Sequence, residues 1–369
     1  MRRSRLAVLR AVLLAGTFAL PLSAAADAPR VIADIAPVHS LVARVMQGAG
    51  TPDLLLEPGV SPHGVSLRPS QARALSEAEF VFSVGMGLAP AVEEAAEALA
   101  PGAVKLELME APGTLHLDMR EEALFGGAAG GHSHGDDHGH GEAAHGDHGH
   151  ADHGDEEHGH DDHAHEQAGQ EDHAHDDHGH EDAGHEDHSH DHGHDHAGGV
   201  DPHGWLSPAN AAVWAAAISE ELSAADPENA ALYAANAEAA VAEIEAARAE
   251  AEALLAPVRG RAYVVFHDAY GYFEEAFDIP ALGAVAASDA SDPSARRALE
   301  LRDGLAEAGL VCAFIEPQFD GSIVPAILGD EVRVAIVDPL GSEIAPGPDF
   351  YPELLRSMAR AMSDCLSGA

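Results

Sequence analysis

Our prediction of the architecture of this chain of 369 residues starts from DPENAALYAANAEAAVAEIEAARAEAEALLAPV, residues 226–258. This stretch begins with Asp226, a typical N-cap residue, and Pro227 at the first helical position. It then runs to Pro257 without an internal glycine or proline. A helix of that length spans roughly 45 Å, more than the width of one small domain. We therefore predict a rigid linking helix over 226–257 that joins two lobes, with a long solvent-facing helix of a single domain as the alternative.

Short apolar runs on both sides of this helix predict parallel β-sheets. The runs are continuous rather than alternating, as expected for strands buried on both faces, and helical segments separate them, which is typical of βα units. They are RVIADIAP (30–37), DLLLEP (53–58), FVFSVG (80–85), VKLEL (104–108), RAYVVFHD (261–268), ALGAVAAS (281–288), LVCAFIEP (310–317) and VRVAIVDP (332–339). The fold class predicted is α/β, with an N-terminal lobe over 27–225 and a C-terminal lobe over 258–369, each a mainly parallel sheet flanked by helices.

The N-terminus and the charge of the chain indicate where it works and which partners it lacks. A basic start, an apolar run over 11–22 and the small residues of 24–26 predict a signal peptide over 1–26, and therefore a periplasmic protein. The cleavage site has no cysteine for a lipid anchor. A net charge of −44 argues against nucleic acid as a partner, because a phosphate backbone would repel the chain. We expect a monomer.

A histidine-rich tract interrupts the N-terminal lobe. From His132 to His196 it holds 22 of the 27 histidines, 21 acidic residues and neither lysine nor arginine. It has no large apolar side chains to bury, so we predict a disordered loop over 132–196. Interchangeable imidazoles can enclose Zn²⁺ in many ways but do not define one geometry. We interpret the tract as a weak collector of several ions, with a solvated spacer as the alternative. The histidines at its two ends are candidates for this accessory role: His132, His134, His138, His140, His188, His190, His192, His194 and His196.

Five histidines lie outside the tract, and three of them occupy equivalent positions. His63 lies between a predicted strand and a predicted helix, His203 precedes a predicted helix near Pro208, and His267 ends a predicted strand. In open α/β sheets the loops beyond the carboxyl ends of the strands carry the binding groups. One such histidine is more often a capping or hydrogen-bonding residue. Three of them beside a metal-collecting tract predict a metal site in the cleft between the lobes.

The fourth ligand is open. Asp338 ends the last predicted strand and is the best carboxylate candidate, but it could instead cap the following turn, with water as the fourth ligand. We interpret Glu316 as a partner of a ligand or as a structural residue. His39 and His116 are interpreted as non-ligands.

Cys312 and Cys365 are the only cysteines. In an exported protein such a pair is more often a disulfide than a metal-binding pair, and free thiols are the alternative. A disulfide would tie the C-terminal helix to a strand.

Six segments of the chain, in order, closely resemble the periplasmic zinc-binding proteins of ABC uptake systems, the ZnuA type. They are DIAPVHSLVARVMQG, LLEPGVSPHGVSLRPS, DPHGWLSPANA, VVFHDAYGYF, IEPQF and VDPLG, and together they span the mature chain. The resemblance implies two α/β lobes joined by one long helix, a metal between the lobes and a histidine-rich loop near it. It also implies a disulfide between a late strand and the C-terminal helix, which fits the two cysteines.

The resemblance places the zinc ligands on His63, His203 and His267. Manganese-binding relatives generally have a carboxylate where this chain has His267, and nitrogen ligands favour Zn²⁺. Some zinc-binding members have a glutamate before the first histidine, whereas this chain has Pro62. That departure leaves the fourth position to water or Asp338.

The sequence therefore predicts a non-enzymatic carrier that captures Zn²⁺ and delivers it to the membrane permease of an ABC transporter. A storage or buffering protein, in which the tract is the whole function, is one alternative. A zinc hydrolase that activates water on the same three histidines is another, and a surface adhesin is a third. The unbroken linking helix predicts limited movement of the lobes.

Overall fold

A computed structural model of the protein describes residues 28–120, 122–125, 199–286, 294–319 and 322–368. The predicted signal peptide over 1–26 lies outside the described residues. So does the tract over 132–196, with all nine of its accessory histidines. The parts of the chain that precede and follow the tract cluster into one compact unit.

Two four-stranded parallel sheets form the framework of this unit. The first has the order β2-β1-β3-β4 and consists of β1 (Val31–Ala33), β2 (Asp53–Leu54), β3 (Phe80–Ser83) and β4 (Val104–Glu107). The second has the order β6-β5-β7-β8 and consists of β5 (Tyr263–His267), β6 (Ala284–Ala286), β7 (Cys312–Ile315) and β8 (Arg333–Ile336). Each of the eight predicted strands is present inside its apolar run. The predicted α/β class with parallel sheets is confirmed.

Nine helices in the described part of the chain flank these sheets. They are α1 (Ala36–Val45), α2 (Pro69–Glu77), α3 (Pro90–Leu99), α4 (Pro208–Ala225), α5 (Ala230–Leu255), α6 (Gly271–Phe277), α7 (Ala295–Leu305), α8 (Ile323–Leu328) and α9 (Phe350–Ser367). Local sequence explains where several begin. For α4, the Ser207 side chain accepts a hydrogen bond from the Asn210 backbone N–H, and Pro208 occupies the first turn. None of the helices described combines the length and the apolar character that a membrane span requires.

The long helix α5 begins later than the sequence predicts. α4 continues to Ala225, so Asp226 caps its C-terminal end instead of starting the next helix. The Asp226 carboxylate accepts hydrogen bonds from the Asn229 side chain and from the Tyr233 hydroxyl at 2.7 and 2.8 Å, which stabilises a turn between the two helices. Pro227 lies in that turn. At 1.5 Å per residue, the 26 residues of α5 span about 39 Å.

One face of α5 is buried along its whole length. The buried residues recur every three or four positions, which places them on one side of a helix: Tyr233, Ala237, Ala240, Ile244, Ala247, Ala251 and Leu255. This face packs against α4, α9 and α1. One hydrophobic core therefore continues from the first sheet through α5 to residues of the second sheet. That continuity is the physical basis for expecting little movement of one sheet relative to the other.

A disulfide bond joins Cys312 on β7 to Cys365 on α9. Both side chains are buried within the continuous core. The bond therefore attaches the C-terminal helix to the second sheet, at the opposite end of β7 from Glu316.

Candidate metal centre

The structure brings together the three histidines that the sequence singled out. His63 lies in the loop between β2 and α2, His203 directly precedes a short 3₁₀ turn over Gly204–Leu206, and His267 is the last residue of β5. One ring nitrogen of each lies within 4.8 Å of the others. His203 and His267 are buried, and His63 is half-buried. Within the described residues, this is the group of histidine, cysteine and acidic side chains whose geometry could hold a metal ion.

The spacing of the ring nitrogens fits a tetrahedral ion. Nε2 of His203 lies 3.2 Å from Nε2 of His63 and 3.5 Å from Nε2 of His267. Two nitrogens bound tetrahedrally to Zn²⁺ at about 2.0–2.1 Å are themselves about 3.3–3.4 Å apart. The three imidazoles therefore need little rearrangement to bind an ion of that size.

Buried carboxylates orient two of the three imidazoles. Asp201 Oδ1 accepts hydrogen bonds from Nδ1 and the backbone N–H of His203, at 2.6 and 2.9 Å. Glu316 Oε1 lies 2.9 Å from Nδ1 of His267. An Nδ1–H that donates to a carboxylate leaves the Nε2 lone pair for a metal and raises its basicity. Glu316 as the partner of a ligand or as a structural residue stays a prediction, and Asp201 was not singled out from the sequence.

Tyr270 supports the carboxylate of Glu316. Its hydroxyl lies 2.9 Å from Glu316 Oε1 and 3.0 Å from the carbonyl oxygen of Val337. Burial, and then the negative charge of Glu316, raise the pKa of the Tyr270 hydroxyl well above its ordinary value. Tyr270 therefore remains a hydrogen-bond donor, while Glu316 Oε2 is buried without a hydrogen-bond partner in the part of the chain described.

Asp338 lies at the end of the last strand region, but its carboxylate is engaged by the following turn. Oδ1 accepts from the backbone N–H groups of Leu340 and Gly341 at 3.0 and 2.9 Å. Oδ2 accepts from the backbone N–H and the hydroxyl of Ser342 at 2.6 and 2.5 Å. A carboxylate has about four acceptor sites, so the turn occupies all of them. Asp338 as the fourth ligand stays a prediction, and these contacts match the capping alternative.

The other two histidines that the structure describes hydrogen-bond to backbone carbonyls. Nε2 of His39, on α1, lies 3.2 Å from the oxygen of Pro52, and burial lowers the pKa of this imidazole. Nε2 of His116 lies 2.7 Å from the oxygen of Met109. The interpretation of these histidines as non-ligands stays a prediction.

Asp201 and Tyr270 are the site residues that the sequence reasoning missed. A signal for Asp201 exists in the segment DPHG, because an aspartate two residues before a histidine can reach both its backbone N–H and its ring. No comparable local signal exists for Tyr270, whose contacts with Glu316 and Val337 are between residues far apart in sequence.

Known proteins share both the sequence and the fold. Residues 31–365 match the model of the family described as Zinc-uptake complex component A periplasmic, ZnuA. High-affinity zinc uptake system protein ZnuA of Paracoccus denitrificans (strain Pd 1222) is 42% identical over 353 residues, with 95% of each chain covered. The protein of the same name from Brucella suis biovar 1 (strain 1330) is 36% identical over 346 residues, with 94% of each chain covered. A solved structure entitled Crystal structure of ZnuA superimposes with a TM-score of 0.64 at 21% identity, covering 92% of this chain and 100% of that one, which shows a common fold. The chain therefore belongs to the ZnuA family of zinc-uptake components.

Proposed function

We propose that this protein binds Zn²⁺ as cargo between its two lobes and delivers it to the membrane permease of an ABC transporter. The observation that carries the proposal is the convergence of His63, His203 and His267, with nitrogen spacings suited to a tetrahedral ion. Three nitrogen ligands favour Zn²⁺ over the harder Mn²⁺. The relatives from Paracoccus and Brucella are named for zinc uptake.

Water takes the fourth coordination position in this proposal. All acceptor sites of Asp338 are used by its own turn, and the residue before His63 is Pro62, whose side chain offers no ligand atom. A position held by water can be given up to a ligand of the next protein, which suits a carrier that must release its ion.

The geometry of the site fits a carrier function better than a hydrolase function. A zinc hydrolase needs a general base near the metal-bound water, and Glu316 is the carboxylate that contacts His267. Its Oε1 is already shared between His267 and Tyr270, and the side chain is fully buried. We propose that the protein is not an enzyme and that it is a monomer. We also propose that it works in the periplasm, because the description of its family includes the word periplasmic.

Deleting residues 132–196 is expected to leave one tightly bound Zn²⁺ per molecule and to remove the weaker ions. The three proposed ligands lie outside the tract, and its interchangeable imidazoles do not define one geometry. Isothermal titration calorimetry of the mature protein with and without the tract measures both classes of site. Loss of the tight ion on deletion would instead favour the storage function.

The transport step needs a test in the cell. A strain that lacks the gene should grow in zinc-depleted medium when it carries the wild-type gene, and should fail to grow when it carries His203→Ala. Added zinc should restore growth of the variant strain. Equal growth of both strains without added zinc would contradict the carrier function.

Replacing Glu316 with glutamine is expected to weaken Zn²⁺ binding by about 10–100-fold. The amide lacks the negative charge that makes the His267 imidazole more basic. Tyr270→Phe is the matched control, because it removes the other hydrogen bond to Glu316 but keeps the carboxylate, and it should cost less affinity. Chelator competition measures both. An unchanged affinity in a folded Glu316→Gln protein would rule out the role proposed for Glu316.

A further inference from the structure

Residues 117–120 and 122–125, named the strap here, follow the first sheet in the chain and add to the second sheet. The Phe125 N–H donates to the oxygen of Leu282 at 2.9 Å, and the Ala284 N–H donates to the oxygen of Ala123 at 3.1 Å. This pairing is antiparallel, at the edge strand β6. The strap therefore joins the segment that follows the first sheet to the edge of the second sheet.

Two glycines, Gly283 and Gly304, leave space for the strap on the second lobe. A Cβ atom on Gly283 would lie 2.2 Å from the oxygen of Ala123, and a Cβ atom on Gly304 would lie 2.3 Å from the side chain of Leu124. Arg297 adds a hydrogen bond from its guanidinium to the oxygen of Glu122 at 2.8 Å. The strap therefore occupies a specific place on the second lobe.

The strap also holds the segment that carries His203. The Asp201 N–H donates to the oxygen of Leu117 at 2.8 Å, and the Met119 N–H donates to the oxygen of Gly199, also at 2.8 Å. Asp201 in turn accepts hydrogen bonds from the ring and the backbone of His203. The position of His203 thus depends on this pairing.

Arg120 links the same strap to the segment that carries His267. Its Nε donates to both carboxylate oxygens of Asp268, at 2.9 and 3.1 Å, and its Nη1 and Nη2 donate to Glu274 at 2.7 and 3.2 Å. The Phe125 ring covers the guanidinium, with Cζ 3.7 Å from the ring centroid. Both carboxylates are largely buried, and the Arg120 guanidinium pairs with both of them. Arg297 adds a second positive charge that acts on Asp268.

We propose that Arg120 is a positioning residue of the metal centre, which sets the distance between the imidazoles of His203 and His267 before an ion binds. Asp268 directly follows His267, so the turn at the end of β5 is held by Glu316 through the imidazole and by Arg120 through Asp268. The strap connects that turn to Asp201 and His203. The inference rests on the proposed function, because it requires both histidines to be zinc ligands.

The double variant Arg120→Gln/Glu274→Gln tests this inference. It removes one positive and one negative charge, so the net charge of the group formed by residues 120, 268 and 274 stays the same. Replacing Arg120 alone would leave two carboxylates, Asp268 and Glu274, without their guanidinium partner. We expect Zn²⁺ affinity to fall by about 10–100-fold, the range typical for residues that orient metal ligands. We also expect the visible absorption spectrum of the Co²⁺-substituted protein to change, because the ligand geometry is no longer fixed. A residue that only stabilised the fold would not alter that spectrum.

Arg44→Gln/Glu243→Gln is the matched control. In this pair Arg44 also donates two hydrogen bonds to one carboxylate, through Nε and Nη2 at 2.8 and 2.5 Å, but it joins α1 to α5. It should leave Zn²⁺ affinity and the Co²⁺ spectrum unchanged. If the Arg120 double variant does not fold, Arg120→Lys is measured against the same criteria, because it keeps the charge and loses the planar fork.

Two outcomes separate this inference from the proposed function. If His203→Ala abolishes tight binding while the Arg120 variant matches the Arg44 control in affinity and spectrum, Arg120 does not position the site and only this inference fails. If His203→Ala binds Zn²⁺ as tightly as the wild type, the proposed function fails with it.

Discussion

Replacing His203 with alanine is expected to lower Zn²⁺ affinity by at least about a thousandfold, more than the 10–100-fold typical of residues that only orient a ligand. His203 is the central member of the group, because its Nε2 lies next to those of both His63 and His267. Without it, only the imidazoles of His63 and His267 remain in the group. The carboxylate of Asp201 then has no imidazole to orient.

Chelator competition measures the Zn²⁺ affinity. The tract-deleted protein is used so that the weak sites of the tract do not mask the loss of tight binding. His116→Ala is the control, since this imidazole hydrogen-bonds to the oxygen of Met109 and belongs to no group of potential ligands in the described residues. His39→Ala is a second control, on α1. Affinity in His203→Ala within tenfold of the controls would mean that the ion is held elsewhere.

The fold could be predicted because each strand carries its own signal. Parallel strands buried on both faces must be apolar throughout, and the run RAYVVFHD shows this directly: Tyr263–His267 is buried at every position. The start of α5 could not be predicted in the same way. The Asp226 carboxylate accepts hydrogen bonds from Asn229 and Tyr233, so Asp226 and Pro227 belong to a turn that precedes the helix, and the helix itself begins at Ala230.

The candidate site could be predicted in part, for a reason that concerns topology. Loops that follow parallel strands meet at one edge of a sheet, so the positions of His63 and His267 after strands could be read from the sequence. The strap could not, because LDMREEALF has neither a strand pattern nor a helix pattern of its own. It is ordered by pairing with residues 199–201 and 282–284, which are more than 70 residues away along the chain.

Asp338 shows the limit of reasoning from position alone. A carboxylate after a strand can bind a metal or cap a turn, and the sequence VDPLGS permits both. The hydrogen bonds that Asp338 accepts from the backbone N–H groups of Leu340, Gly341 and Ser342 match the capping role. The directions of these N–H groups depend on the conformation of the turn, which the sequence does not show. Gly341, with φ of +63°, adopts the left-handed conformation that this turn requires.

Removing the disulfide with Cys312→Ala/Cys365→Ala is expected to lower the free energy of unfolding by about 4 kcal/mol. The two residues are separated by 53 positions, and closing a loop of that length restricts the unfolded chain by about this amount on the loop-entropy model. For a protein of this size the melting temperature should fall by roughly 10 °C. Chemical denaturation followed by circular dichroism measures the free energy.

The same change should leave Zn²⁺ affinity within about threefold of the wild type. Cys312 begins β7, whereas Glu316, which contacts His267, follows the other end of that strand, so the bond lies far from the imidazoles. Reduced wild-type protein is the control, because it keeps both sulfur atoms in the core and removes only the covalent link. If the reduced and oxidised proteins unfold at the same denaturant concentration, the link contributes nothing to stability, and α9 is held to the second sheet by packing alone.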